Sequence, residues 1–131
     1  MGTLANVTYV TVGTLTFNTN TNLGCKIEVT ATPGTVSGNK QLLVFAQQSV
    51  DGTNYETGPG SGTTVTDQPN LTFIGTLPLG SNSTLETRVF DLAAAFAGTL
   101  PYSAKIIVFN DSGAALASGT VYYSEVAVTS V

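Results

Sequence analysis

Apolar and polar positions alternate with a period of two along much of this chain, most clearly where Cys25, Ile27, Val29 and Ala31 interleave with Lys26, Glu28, Thr30 and Thr32. Successive side chains of a strand point to opposite faces, so this segment predicts a strand with one dry and one wet face. Val7 to Phe17, dense in Val, Thr and Tyr, predicts an earlier strand, with Gly13 marking a bulge or a bend where the strand changes sheets. Gln41 to Ser49 differs: Leu42, Val44 and Ala46 are backed by Leu43 and Phe45, so both faces are apolar. Such a strand is central or has one face covered by another subunit. Leu71 to Leu77, Leu85 to Phe90, Tyr102 to Asn110 and Thr120 to Thr129 complete the predicted strands.

Turn chemistry separates these runs. Thr32-Pro33-Gly34, Val50-Asp51-Gly52-Thr53-Asn54, Gly80-Ser81-Asn82 and Asp111-Ser112-Gly113 carry residues suited to tight turns or positive φ. One short helix competes, Asp91 to Gly98, with an acidic cap, a run of helix formers and a terminal glycine. Short antiparallel strands at this spacing predict an all-β sandwich of jelly-roll or immunoglobulin-like character. The 131 residues fit a single domain over 1–131, its N-terminus a candidate for an extended arm. The stretch from Asp51 to Asn70, containing Gly58-Pro59-Gly60-Ser61-Gly62, predicts a long loop of functional character.

Composition narrows the chemistry. With no histidine and one cysteine, a Ser-His or Cys-His nucleophile pair, a His-ligated metal and an internal disulfide are excluded within one chain. Lys26, Lys40, Arg88 and Lys105 are scattered and the net charge is −4, which opposes the phosphate contacts of nucleic-acid binding. The longest apolar run, Leu92 to Ala97, is far short of a transmembrane helix. Residues 1–6 show no signal peptide and fail the myristoylation pattern, so a soluble chain without an anchor is expected. Cys25 reads as a small buried thiol.

Each catalytic motif has a simpler reading. Asp111-Ser112-Gly113-Ala114 after Ile106 to Phe109 looks like a retroviral-type aspartic protease signature, yet too few residues follow it, and Asp-Ser-Gly is an ordinary hairpin turn. None of the eight acids is marked as a glycosidase pair, and there is no tryptophan platform for a sugar. Asp51, Asn54 and Glu56 could offer oxygens to calcium, but their spacing is not that of an EF-hand. The sequons at Asn6, Asn70, Asn82 and Asn110 are what a Thr-rich chain produces by chance. No enzyme activity, cofactor or metal is expected.

Two stretches carry a resemblance: Gln48-Ser49-Val50-Asp51-Gly52-Thr53-Asn54-Tyr55, and Leu100-Pro101-Tyr102 through Ile106 to Gly113. A strand ending in Ser-x-Asp-Gly-x-Asn-Tyr, then a Leu-Pro-Tyr strand and an Asn-x-Ser-Gly turn, resembles small structural proteins of tailed-phage virions, particularly head decoration or cement proteins. The resemblance covers about half of the chain and carries no catalytic residues. It implies a mainly β homotrimer, assembled in the host cytoplasm, that sits on the capsid exterior and clamps neighbouring subunits of the major-capsid lattice. Low charge, abundant Thr and five tyrosines suit such interfaces. Adjacent on one strand, Tyr122 and Tyr123 must face opposite ways, so one needs a partner or stays wet. Asp51, Asn54, Tyr55, Pro59, Tyr102, Tyr122 and Tyr123 are the expected interface residues. The alternative is a carbohydrate-binding β-sandwich whose Asp51 to Asn70 loop and tyrosines form the ligand face.

Overall fold

A computed structural model describes residues 1–17 and 22–127. Eight strands are present among them: β1 (Tyr9–Thr16), β2 (Asn22–Pro33), β3 (Gln41–Ser49), β4 (Ser61–Gly62), β5 (Thr72–Pro78), β6 (Glu86–Asp91), β7 (Ser103–Asp111) and β8 (Leu116–Ala127). They form two antiparallel sheets, one ordered β4-β1-β7-β3-β5 and the other β6-β2-β8. The chain is an all-β sandwich, as the alternation predicts. Every predicted strand is found within a few residues of its expected bounds; positions 128 and 129 of the last lie outside the described residues.

The sheets meet through their dry faces. Cys25, Ile27, Val29 and Ala31 of β2 pack with Leu42, Val44 and Ala46 of β3 and Ala104, Ile106 and Val108 of β7 in the main core. In β1 the pairing with β7 slips between Thr11 and Gly13, a bulge at the expected glycine. The extra residue resets the alternation, so Val10 and Val12 before it and Leu15 after it all turn to the core. The strand does not change sheets there; β1 pairs with β7 on both sides of the bulge, and its bend is absorbed locally.

The short turns link the two sheets, and Asp111-Ser112-Gly113 is not the hairpin turn expected of it. β2 and β3, β5 and β6, and β7 and β8 lie in different sheets, so Pro33-Gly34, Gly80-Ser81-Asn82 and Asp111-Ser112-Gly113 are corners that carry the chain across the core. Helix α1 (Leu92–Ala95) bridges β6 to the approach of β7, and its Asp91 cap accepts from the Ala94 amide. The N-terminal segment, a candidate arm, is laid back on the sandwich. Its Leu4 carbonyl accepts from Leu116 N and its Gly2 amide donates to the Gly119 carbonyl.

The apolar second face of β3 is covered by the chain itself. Tyr9, Phe45, Ile107 and Phe109 line the outer face of the five-stranded sheet, and Leu71 closes over them. Leu71 directly follows the stretch from Asp51 to Asn70 expected to be a long loop, which holds both β4, paired with Tyr9 and Val10, and a 3-10 turn at Gln68–Asn70. Phe45 is thereby only 6% exposed, and its burial requires no second subunit.

Candidate functional site

The expected interface residues fall into two places. Asp51, Asn54, Tyr55 and Tyr102 gather at the end of the five-stranded sheet where β3 leaves and β7 enters, since Ser49 is opposite Ser103. Tyr122 and Tyr123 lie on the other sheet, and Pro59 sits apart between Gly58, packed under Leu71, and Gly60, whose carbonyl accepts from Thr11 Oγ1 at 2.9 Å.

Asp51 is the staple of the first group. Its Oδ1 accepts from the Thr53 and Asn54 amides at 2.8 Å and from Ser49 Oγ at 3.0 Å, while Oδ2 accepts from Asn54 Nδ2 at 2.7 Å. These donors, the Asn54 amide foremost, hold its carboxyl well below the usual carboxylate range. Both Asp51 oxygens therefore face donors of the chain, and Glu56 Oε1 likewise accepts from the Gln48 amide at 2.8 Å. Among the described residues no three acidic or thiol side chains converge on a metal position.

Tight closure of this turn sets the aromatics. Gly52 has φ 76°, and a Cβ there would lie 2.7 Å from Cε1 of Tyr102, so the tyrosine ring rests on the bare glycine. Tyr102 still exposes 44% of its surface. Tyr55 turns inward: its hydroxyl lies 2.8 Å from Ser103 Oγ, and because Ser103 donates to the Leu15 carbonyl, Tyr55 is the donor. The Lys105 ammonium sits 4.3 Å from the Tyr55 ring centre, a cation–π contact that sequence reasoning missed because Lys105 lies far along the chain from Tyr55. Of this group, Asp51, Asn54 and Tyr55 build the site and Tyr102 presents it. Beside them Gln48, Ser49, Val50, Asn54 and Glu56 line an open hollow of about 300 Å³.

On the three-stranded sheet Tyr122 is 62% and Tyr123 59% exposed. Tyr122 is opposite Glu28 on the outer face, and Tyr123 opposite Ile27, on the core side at the rim. Lys26, Glu28, Val89, Tyr122, Tyr123 and Ser124 enclose an open hollow of about 260 Å³. Val89 was overlooked, although its alternation with buried Phe90 in β6 marks it as outward-facing. Tyr123 also closes a slot of about 190 Å³ between the sheets, lined by Val12, Leu15, Ile27, Ile106 and Val121.

The protease-like signature is a corner. Asp111 Oδ2 accepts from Asn39 Nδ2 at 2.8 Å and Gln41 Nε2 at 3.0 Å, Ser112 is buried, and Gly113 takes φ 95°. Asp111 thus orders the neighbouring loop through amide donors, with no second acid beside it among these partners. No helix among the described residues is long and apolar enough to cross a membrane. Comparison of the chain with protein-family models, with curated proteins and with solved structures finds no match.

Proposed function

We propose that this chain is a non-enzymatic structural protein of a virion, binding the exterior of an assembled major-capsid lattice as a homo-oligomer and stabilising it. The observation that supports this reading most is the way exposed aromatic surface is held. Tyr102 is fixed on Gly52 by a turn whose polar groups satisfy one another, so it is presented at little entropic cost to a partner. The chain as a whole is sparsely charged, at 9% of its residues, which suits a protein whose surfaces become interfaces. On a symmetric lattice an oligomer gains affinity from effective concentration, so modest single contacts suffice.

Co-sedimentation with assembled capsids tests the reading. The intact chain should bind saturably, and Tyr102→Ala should weaken binding at least several-fold while its circular dichroism is unchanged. Removing Gly58 to Gly62 is a poor probe, because it deletes β4 and the seat of Leu71. The open hollow that Gln48, Asn54 and Glu56 line together with Val50 favours one second reading, a carbohydrate-binding module in which those polar side chains would hydrogen-bond hydroxyls. Binding on a glycan array without binding to capsids would select it.

A further inference from the structure

β8 stands at the end of its sheet, and among the described residues it pairs with β2 alone. The N-terminal segment occupies the first part of its outer edge through the bonds of Leu4 to Leu116 and of Gly2 to Gly119, each 3.0 Å. Backbone groups of a strand alternate sides, so the outward Gly119 carbonyl places the amides and carbonyls of Val121 and Tyr123 on that same edge, beyond the bonds that Leu4 and Gly2 make. Devices that usually blunt an edge are missing here: Thr120 to Ser124 contains no lysine and no proline.

We propose that this open stretch pairs antiparallel with the same stretch of a second copy, Tyr122 facing Tyr122 across a two-fold axis. Opposed residues of an antiparallel pair share a face, which limits self-pairing to registers centred on a residue. Centred on Tyr122, the register sets Val121 against Tyr123 of the second copy on one face, twice, and Thr120 against Ser124 on the other. Aromatic with β-branched and hydroxyl with hydroxyl are favourable cross-strand pairs. Glu125, the one charged residue of β8, lies just past the paired stretch, where the N-terminal segment covers Gly119, so the pairing ends at Thr120 and Ser124 and no like charges meet. Centring on Tyr123 would instead set Glu125 against Val121 and leave Tyr122 against Ser124, a poorer match on both faces.

The area is consistent with a modest dimer. Four tyrosine rings, each about three-fifths exposed in the single chain, meet at the junction. At ~150–250 Å² per aromatic side chain they supply on the order of 400 Å². With the paired backbones this places the contact near ~1,000 Å², the weak and concentration-dependent end of specific interfaces. Two three-stranded sheets would become one six-stranded sheet, with the outer hollows around Val89 and Tyr122 brought side by side.

Light scattering on the full chain without particles tests the pairing. The mass should rise with concentration to twice 13.4 kDa. Tyr122→Lys sets two ammonium groups face to face and should give a monomer, whereas Tyr122→Phe should still pair. Across the axis the Cα atoms of a non-hydrogen-bonded pair are ~4.5 Å apart, inside the ~4.4–6.8 Å range of disulfides. Tyr122→Cys should therefore cross-link between copies at least tenfold faster under mild oxidation than Thr120→Cys, whose partner is Ser124. A wild-type monomer throughout, a trimer, or a folded Tyr122→Cys that cross-links no faster than Thr120→Cys overturns the pairing. Because no capsid is present, these outcomes are separate from those of the binding experiment above.

Discussion

Asn110 Nδ2 donates to the Leu4 carbonyl at 3.0 Å across 106 positions of sequence, tying the first residues of the chain to the last turn before β8. The same nitrogen donates to the Ala114 carbonyl at 2.9 Å, and Oδ1 accepts from the Ser112 amide at 3.0 Å. Asn110 is fully buried and its side chain completely used, so one residue closes both the corner and the N-terminus. Asn110→Ala leaves the buried Ser112 amide without its acceptor and takes one of two donors from each of the Leu4 and Ala114 carbonyls, which keep Leu116 N and Ser112 Oγ. It should cost ~1–3 kcal/mol, as measured by urea unfolding.

Leu71→Ala tests whether residues 51–70 belong to the fold. Leu71 is 6% exposed and seals the cluster of Tyr9, Phe45, Ile107 and Phe109. The change should lower stability by ~2–5 kcal/mol, the cost of a leucine-sized cavity, and should speed proteolysis within 51–70 before the rest of the chain. Equal stability with unchanged proteolysis would mean that the segment is not seated on the sheet.

The Asp51 staple gives the protein an acid limit. Its folded carboxyl titrates below its unfolded value, so its contribution is complete above ~pH 4, the unfolded value, and is lost as the pH falls through the lower folded value. Asp91, lowered first by its bond from Lys26, shifts the same way, but that pair is exposed and contributes little. The thermal midpoint should be flat from about pH 7 to 5 and fall below about pH 4. Asp51→Asn, which cannot accept all four bonds, should be less stable at pH 7 and show a shallower acid decline.

Cys25 offers a clock of unfolding. It is 1% exposed, and burial first, then the charge of Glu125, pushes its thiol up to about 11. Labelling by a thiol reagent at pH 8 should be slower in the native protein than in urea by on the order of 100-fold or more. Comparable rates would show that β2 opens readily.

The period-two alternation was enough to locate the strands, because it records a local fact, which side of a pleat each side chain takes. Gly13 announced its bulge, and Asp91 and the alanines after it announced α1, for the same local reason. The alternation could not say what lies on either side. Leu43 and Phe45 read as the mark of a central strand or of a face covered by another subunit, and only the fold shows that β3 is central and that Leu71 lies over this face. The turn residues were legible as turns, yet corner and hairpin use the same chemistry, and sheet assignment alone separates them. Within the candidate site the Asp51 turn was visible in its spelling, whereas Tyr102 resting on Gly52 and Lys105 over Tyr55 join positions far apart in sequence. Sequence by itself therefore determined the elements and their faces, since backbone geometry and hydrophobicity act residue by residue. The tertiary structure alone decided which faces are covered and which tyrosines remain exposed, because those outcomes depend on long-range packing that leaves no local periodic trace.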